Sequence, residues 1–232
     1  MKIVIINGSP RTEGATAAVL RSMEKELLIC GAEVDYYDLS LLTMSQCKGC
    51  CACYSTGHCH MNDDAEKLSH AISQADGLVL GSPTYASNVS GLMKLLIDRG
   101  HFVIEQLLTG KYCVTVATGE NYGSRNTGRI INDLVLYSGG QLSHKIVLNV
   151  PFGSVRNDNK TVQKTGSQAA NKLCRDISMQ RKHLFQILLH RIIFAFGIRP
   201  FVRKKGKLYK GVVERWKEYG LISRSFSKYS TA

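Results

Sequence analysis

Residues 2–16 read KIVIINGSPRTEGAT, an apolar run that is followed by a polar turn. The unbroken apolar centre is typical of a strand buried on both faces of a parallel sheet. Residues 15–30 then have the apolar spacing of a helix. The first N–H groups of a helix are unpaired, and its dipole favours negative charge there. This strand, turn and helix therefore predict an anion site at residues 8–16.

The rest of the chain repeats this alternation of strand and helix. Four more apolar runs predict strands: AEVDYYDL at 32–39, DGLVLGSP at 76–83, KYCVTVATG at 111–119 and QLSHKIVLNV at 141–150. We therefore predict an α/β fold, a doubly wound five-stranded parallel sheet with strand order 2-1-3-4-5. Ligands of such sheets bind beyond the carboxyl ends of the strands, which here lead into loops 8–16, 82–91 and 117–125.

The chain has 232 residues, enough for one domain with a full core, and its net charge of +12 is unevenly distributed. Thirteen of its 30 Lys and Arg residues lie in residues 181–232, with only two of its 18 acidic residues. We therefore predict a nearly neutral domain over residues 1–180, with a cysteine-rich insertion at 47–59. A basic helical extension is predicted over residues 181–232.

The apolar segments also bear on location. The amino-terminal run of four apolar residues is shorter than a secretory signal requires. The stretch Leu184–Phe196 contains His190 and Arg191 and is too short to span a bilayer. We therefore expect a cytoplasmic protein. In that reducing compartment, eight cysteines indicate thiols, metal or redox chemistry rather than a disulfide framework.

The polar turn after the first strand suits a single phosphate group. Ser9, Thr12 and Thr16 can donate hydroxyl hydrogen bonds, and Arg11 can neutralise charge. The turn lacks the Gly-Lys-Ser/Thr ending of a nucleoside triphosphate loop. It also lacks Gly-x-Gly-x-x-Gly, although Asp38 stands where a ribose-binding acid is expected. A monophosphate therefore fits better than a pyrophosphate, and an ordinary capped strand–helix turn is the alternative.

Three motifs in order carry a family resemblance: NGSPRTEGAT at 7–16, CKGCCACYSTGHC at 47–59, and ADGLVLGSPTYASNVSGLMKLLIDR at 75–99. Together they resemble the flavodoxin-like NAD(P)H-dependent FMN reductase family, and more closely its iron–sulfur flavoprotein branch. The resemblance covers about residues 1–150. It implies a flavodoxin-like fold and bound FMN.

The resemblance also implies an FMN site built from three loops. It implies phosphate contacts from Ser9, Arg11, Thr12 and Thr16, and isoalloxazine contacts from two later loops, at Pro83, Thr84, Tyr85, Asn88, Thr118, Gly119 and Tyr122. A packed tyrosine in an ordinary strand–helix loop is the alternative for the second loop. Glu120 departs from the small or polar residue expected there. No Ser/His/Asp set or carboxylate pair is legible, so we assign no catalytic residue, which suits flavin chemistry.

The cysteine motif resembles the compact cluster motif of iron–sulfur flavoproteins, which implies a 4Fe–4S cluster held by Cys47, Cys50, Cys53 and Cys59. Cys51 is then a spare residue. Thiols without metal and a zinc site are the alternatives, although structural zinc usually joins two pairs across a longer loop. His58 and His60 are expected at the surface, and the remaining cysteines are expected to pack in helices and strands: Cys30, Cys113 and Cys174.

The basic extension begins with an apolar helix, HLFQILLHRIIFAF at 183–196, which we expect Gly197 and Pro200 to end. We predict that this helix is buried against the domain and helps to form a homodimer, because so wide an apolar surface is a liability in water. The basic cluster is predicted to stay exposed: Arg203, Lys204, Lys205 and Lys207. Contact with an anionic membrane or an acidic electron-transfer partner is the alternative. No nucleic-acid-binding motif accompanies the charge.

These predictions converge on an FMN-dependent oxidoreductase. We expect it to move electrons from NAD(P)H or a reduced ferredoxin to a small-molecule acceptor, with a 4Fe–4S cluster suiting one-electron traffic. One alternative is a cluster-free NAD(P)H-dependent FMN or quinone reductase. The other is a non-catalytic flavin electron carrier or redox sensor.

Overall fold

The structure is a computed structural model and describes residues 1–151 and 160–223. Its five strands pair in parallel in the order β2-β1-β3-β4-β5, which confirms the predicted fold. The strands are β1 Lys2–Asn7, β2 Glu33–Asp38, β3 Gly77–Pro83, β4 Tyr112–Gly119 and β5 Gln141–Asn149. Residues 224–232 of the predicted extension lie outside the described part of the chain.

Helices cover both faces of this sheet. They are α1 Ala15–Ile29, α2 Ala52–Thr56, α3 Asp64–Gln74, α4 Gly91–Arg99, α5 Phe102–Glu105, α6 Ser124–Tyr137 and α7 Lys160–Ser178. Alternate residues of β1 point to opposite faces, as a strand requires. Ile3 and Ile5 pack with α1 and α7, whereas Val4 and Ile6 pack with α3, α4 and α6. The sheet is therefore apolar on both sides of its interior strand β1.

The extension departs from the prediction at its first helix. Gly197 and Pro200 do not end it: α8, Leu184–Ile193, continues through a π turn, Phe194–Ile198, into α9, Arg199–Lys205. Proline is tolerated in the first turn of a helix, where its missing N–H has no partner to lose. The wider π turn before it keeps the helical path continuous.

The rest of the extension forms a small core of its own against the domain. A 3₁₀ turn, Gly206–Tyr209, leads into α10, Lys210–Glu218. Phe194, Val202 and Trp216 pack together there, with Trp216 only 2% exposed. The indole N–H of Trp216 donates to a main-chain carbonyl at the end of α5, which ties this core to the domain.

The predicted burial of α8 was wrong for one of its faces. Its inner face contacts the domain through side chains such as Gln186, but four large apolar side chains on its outer face are exposed, as is Phe196 of the π turn that follows. The four are Leu184, Phe185, Leu188 and Ile192. The four residues of the predicted basic cluster are also exposed, as expected. The helical run Leu184–Glu218, counted through its π and 3₁₀ turns, contains a stretch that could span a bilayer by length and composition alone, so the length argument made for the shorter stretch does not apply to this run.

Candidate functional site

A cavity lies at the carboxyl ends of β1, β3 and β4, where the strand order reverses. The first loop is fixed to the second, because Gly8 N donates to Gly81 O at 2.7 Å and Ser90 Oγ donates to Gly8 O at 2.5 Å. Added atoms at Gly8 would collide with the Gly81 carbonyl at 2.9 Å, so this close approach requires glycine. The end of β1 therefore runs directly beside the end of β3.

Seven of the eleven predicted FMN residues line this cavity: Arg11, Pro83, Thr84, Tyr85, Thr118, Gly119 and Tyr122. Tyr85 and Tyr122 are 44% and 72% exposed, and both line the cavity. Three loops that are far apart in sequence thus meet at one place, as the strand order predicts.

The other four predicted residues lie beside the cavity rather than on its wall. Ser9 is buried, and its Oγ accepts a hydrogen bond from Arg11 N at 3.1 Å. Thr16 is also buried, with its Oγ1 2.7 Å from Thr118 Oγ1. Asn88 Oδ1 accepts from the next backbone N–H in its loop, and Thr12 is exposed. Ser9 and Thr16 therefore brace the loop that carries Arg11.

Asp38, which stands where a ribose-binding acid is expected, has structural partners instead. Its Oδ1 accepts from Asn7 Nδ2 at 2.6 Å, and its Oδ2 lies 3.3 Å from Arg21 Nη2. Asn7 in turn accepts from Ser9 N at 3.1 Å, so this carboxylate orders the first loop from below. The arrangement agrees with the absence of a dinucleotide fingerprint in the sequence.

Nine further residues line the cavity; seven lie in the three predicted loops without having been named as contacts, and two follow β5. The seven are Glu13, Gly14, Ala15, Ala86, Ser87, Glu120 and Asn121, and the two are Val150 and Pro151. Ala86 and Ser87 have left-handed backbone, with φ of 50° and 59°. Asn126 Nδ2 donates to Ser87 O at 2.6 Å, which joins the second loop to α6. Alanine and serine rarely adopt left-handed backbone, so the sequence does not indicate this conformation at residues 86 and 87. The contact between this loop and α6 is likewise evident only from the structure.

The cysteine segment lines a second cavity together with the carboxyl end of α4. Cys47, Cys51, Cys53 and Cys59 line it, and Cys50 does not: its Sγ lies 3.7 Å from His60 Nδ1. The five cysteines of the segment are exposed or half-buried free thiols. Among the described residues, the two cavities share no lining residue. Three of the four predicted ligands are thus brought together, and the residue predicted as spare stands beside them.

A buried ion pair holds the base of this segment. Arg99 at the end of α4 donates to both carboxylate oxygens of Asp63, each at 2.8 Å, and their side chains are 1% and 7% exposed. The same guanidinium donates to Ser45 O at 2.6 Å and to Cys59 Sγ at 3.6 Å. These bonds from Arg99 hold the pKa of Asp63 below its usual range. A fixed cation therefore lies beside one predicted ligand.

A second buried polar group lies behind Cys53. His101 Nδ1 and Glu105 Oε1 are 2.6 Å apart, and His101 Nε2 lies 3.4 Å from Glu66 Oε2. Burial alone lowers the pKa of His101, but hydrogen bonding with Cys53, Glu105 and Glu66 outweighs it and raises that pKa to about 12. The ring is therefore a cation near neutral pH.

The carboxyl-terminal extension covers this side of the cysteine segment. Tyr209 stacks on Tyr54 of α2 with ring centroids 4.7 Å apart. A side chain at Gly211 would collide with Gly57 N at 2.3 Å, so α10 touches the end of α2 backbone to backbone. Arg215 Nη2 donates to Gly57 O at 2.6 Å. Sequence reasoning had no signal for these partners, because they lie about 160 residues away from α2.

The comparisons agree with this geometry. The sequence profile described as NADPH-dependent FMN reductase matches residues 1–158. An iron–sulfur flavoprotein of Clostridioides difficile (strain 630) is 37% identical over 96% of this chain and all of its own length. An iron–sulfur flavoprotein of Archaeoglobus fulgidus is 28% identical over 96% of this chain and all of its own length. A crystal structure of RosB has the same fold, with a TM-score of 0.64 at 13% identity over 84% of this chain and 86% of RosB.

The fold and the cavity at its strand-order reversal define a flavodoxin-like, flavin-dependent oxidoreductase. The chain belongs to the NADPH-dependent FMN reductase family, and within it to the iron–sulfur flavoproteins. The family resemblance drawn from the three motifs is thereby confirmed.

Proposed function

We propose that FMN binds with its phosphate at residues 8–16 and its ring between residues 82–88 and 117–122. The observation that carries this proposal is the single cavity bounded by all three loops. Arg11 supplies a cation on the phosphate side, and the first loop leads into the amino terminus of α1, which favours an anion. Ser9, Thr12, Thr16 and Asn88 would contact FMN only after small side-chain adjustments.

Bound FMN supplies hydride and single-electron chemistry, and the protein supplies binding, orientation and electrostatics. Tyr85 and Tyr122 offer flat surfaces for a ring system, and the glycine at 119 lets the backbone approach closely. We propose NAD(P)H or a reduced ferredoxin as electron donor and a small molecule as acceptor. Steady NAD(P)H oxidation with a quinone or free flavin supports a reductase. Tight FMN binding with no turnover would point to an electron carrier or redox sensor instead.

We also propose that Cys47, Cys50, Cys53 and Cys59 hold a 4Fe–4S cluster. Thiolates are the ligands that such clusters use, the spacing matches the compact motif, and relatives over the whole chain are named iron–sulfur flavoproteins. The structure supports the fit through the thiols that gather at one cavity and the Arg99 cation beside Cys59. The cluster would then accept electrons from one-electron donors.

The position of Cys50 favours a second candidate, a cluster-free NAD(P)H-dependent FMN or quinone reductase. Cys50 faces His60 rather than the cavity, where Cys51 stands instead. Iron and sulfide analysis after anaerobic purification and reconstitution separates the two candidates. Content near zero would remove the cluster and keep the reductase.

The choice of ligands is tested by two matched serine variants. We expect Cys50→Ser to lose the cluster and Cys51→Ser to retain it, with FMN content equal in both. The opposite pattern would assign the fourth ligand to Cys51. Absence of bound FMN in every preparation would contradict the flavin proposal itself.

We propose that the exposed face of α8 is covered by a second copy of the chain. The four exposed apolar side chains of α8, together with Phe196 of the π turn, exceed what a soluble monomer usually leaves open. Leu188→Lys should shift sedimentation from dimer to monomer, whereas Lys204→Glu, in the exposed basic cluster, should leave the dimer intact. A monomeric wild-type protein that binds anionic vesicles would instead favour a membrane surface.

A further inference from the structure

Arg99, at the carboxyl end of α4, is a cation buried beside the cysteine cavity. Its side chain is 1% exposed, and it lines the cavity together with Cys59. A guanidinium cannot be deprotonated in proteins, so this residue is a permanent charge. Asp63 compensates the charge, but one carboxylate accepts only some of the five N–H groups that a guanidinium offers. The remaining N–H groups are available to other acceptors.

The donors of Arg99 can be assigned one by one. Among the described residues, its two terminal nitrogens make four hydrogen bonds, one for each of their hydrogens. Nη1 donates to Ser45 O at 2.6 Å and to Asp63 Oδ2 at 2.8 Å. Nη2 donates to Asp63 Oδ1 at 2.8 Å and to Cys59 Sγ at 3.6 Å. Nε is buried, with no hydrogen-bond partner in the described part of the chain. Sulfur is therefore the acceptor of the second Nη2 hydrogen.

This hydrogen is held in place from both ends of the cysteine segment. Asp63 caps α3, where its Oδ1 accepts from Ala65 N at 3.1 Å and its Oδ2 accepts from Ser45 N at 2.9 Å. Two parallel bonds to a carboxylate that is itself held fix the plane of the guanidinium. Ser45 precedes the first cysteine of the segment and Cys59 is its last, so Arg99 and Asp63 join the two ends. The direction of the Nη2–H donor toward the sulfur is therefore set by the fold.

We propose that Arg99 is a positioning residue for the cysteine centre: its Nη2–H group hydrogen-bonds Cys59 Sγ when that sulfur binds iron, and this raises the reduction potential of the cluster. The proposal rests on the cluster proposed above. Reduction by one electron adds one negative charge, and a fixed cation that donates to a ligand sulfur stabilises that charge. Hydrogen bonds to cluster sulfurs and net charge are among the features that set reduction potentials. Because Arg99 is buried, dissolved salt should screen its effect little.

The test measures the midpoint potential of the metal centre by EPR-monitored redox titration of the full-length protein, loaded anaerobically with iron and sulfide. Arg99→Lys keeps a positive charge without the planar set of donors, and Arg99→Met removes both. We expect the potential to fall from wild type to Lys and further to Met, at equal iron content. Lys48→Met removes one exposed positive charge of the same segment and is the matched control. It should lower the potential less, and high salt should abolish its effect but not that of Arg99→Met.

Asp63→Asn separates this role from a purely structural one. If Arg99 and Asp63 only held the segment together, removing either partner would disturb the centre in the same direction. In this proposal the cation raises the potential, so that Asp63→Asn, which removes only the negative charge, should leave the potential at or above the wild-type value. If Arg99→Met fails to fold with Asp63 unpaired, the double variant Arg99→Met/Asp63→Asn removes both partners. Its potential should lie below that of Asp63→Asn.

The outcomes distinguish this proposal from the cluster itself. An Arg99→Met protein with full iron content and the wild-type potential would overturn this proposal alone, and so would an Asp63→Asn protein whose potential falls. A wild-type protein that takes up no iron and sulfide would overturn the cluster and this proposal together, while FMN binding would stand.

Discussion

The cavity proposed to bind FMN, here called the flavin cavity, and the cysteine cavity are assembled in different ways. The flavin cavity is made by loops that leave neighbouring strands at one edge of the sheet. The cysteine cavity lies between one local segment, residues 47–59, and residues 97–104 of α4 and α5. Side chains such as Arg99 and Arg215 hold that segment in place. The first follows from strand order, whereas the second depends on side-chain contacts between distant parts of the chain.

Because of this difference, the two cavities are expected to respond to different mutations. Loops at a sheet edge are held by the sheet itself, so that changes in the extension should leave the flavin cavity intact. The cysteine segment has few buried residues of its own, since α2 buries none. Its order must come from the groups that contact it, and removing one of those groups should affect that cavity alone.

The largest effect is expected from Trp216→Ala. Trp216 is 2% exposed, packs on Phe194 and donates to Ile104 O at 2.9 Å. Truncating a buried tryptophan typically costs about 3–5 kcal/mol, which should appear as loss of the extension's packing in denaturant unfolding. Leu208→Ala, at a 68% exposed side chain of the same extension, is the matched control and should change little. Equal FMN affinity in both proteins is expected, and a large loss in Trp216→Ala would contradict the separation of the two regions.

The ion pair under the cysteine segment gives the next prediction. Asp63→Asn leaves Arg99 buried without its charge partner, and such losses are typically about 3–5 kcal/mol. Asp98→Asn breaks the solvent-exposed pair with Lys94 on the same helix, where only about 0.2–1 kcal/mol is expected. Urea unfolding of both variants measures the difference. Equal destabilisation would show that burial of the Asp63 pair does not matter.

Much of the flavin region could be predicted from sequence because its information is local. The apolar run at 3–6 identifies a buried strand, and strand order then brings the three loops together. The orientations of individual residues could not be predicted: Ser9 and Thr16 make hydrogen bonds within the protein that hold their loop, and Ala86 adopts left-handed backbone. These outcomes depend on hydrogen bonds that form only after the loops meet.

Less of the cysteine region could be predicted. The spacing of its cysteines indicated a metal centre, but nothing nearby in sequence pointed to His101 or Arg215. The apolar pattern of α8 predicts burial of its whole surface, but one face is exposed. The pattern indicates that a surface is unfavourable in water and does not indicate which part of the protein would pack on it. Likewise, Pro200 predicts the end of a helix, because nothing in the sequence indicates the π turn that lets the helix continue past this proline.

Arg11→Ala tests the flavin side with a smaller expected effect. Arg11 lines the cavity beside the amino terminus of α1, and loss of a charge-assisted contact typically costs about 1–3 kcal/mol. FMN fluorescence titration of the apoprotein should therefore show weaker binding, with iron content unchanged. Arg175→Ala, an exposed arginine of α7 outside the cavity wall, is the control. Unchanged affinity in Arg11→Ala would remove that residue from the phosphate site.

The smallest expected effect is the pH dependence of the stability that Asp63 contributes. Its folded-state pKa is lowered by hydrogen bonds from Arg99, so its stabilising effect is fully present above the unfolded pKa of about 3.9 and is lost as pH falls through the folded value. The stability gap between wild type and Asp63→Asn should therefore be constant from neutral pH to about pH 5 and narrow below about pH 4. Asp64 is present in both proteins, and the charge of Asp63 is the smallest of the causes that shift the pKa of Asp64, so the contribution of Asp64 differs little between them. Unfolding curves recorded across this range measure the difference in stability. A difference that stays constant down to pH 3 would show that the charge of the Asp63 carboxylate does not stabilise the protein.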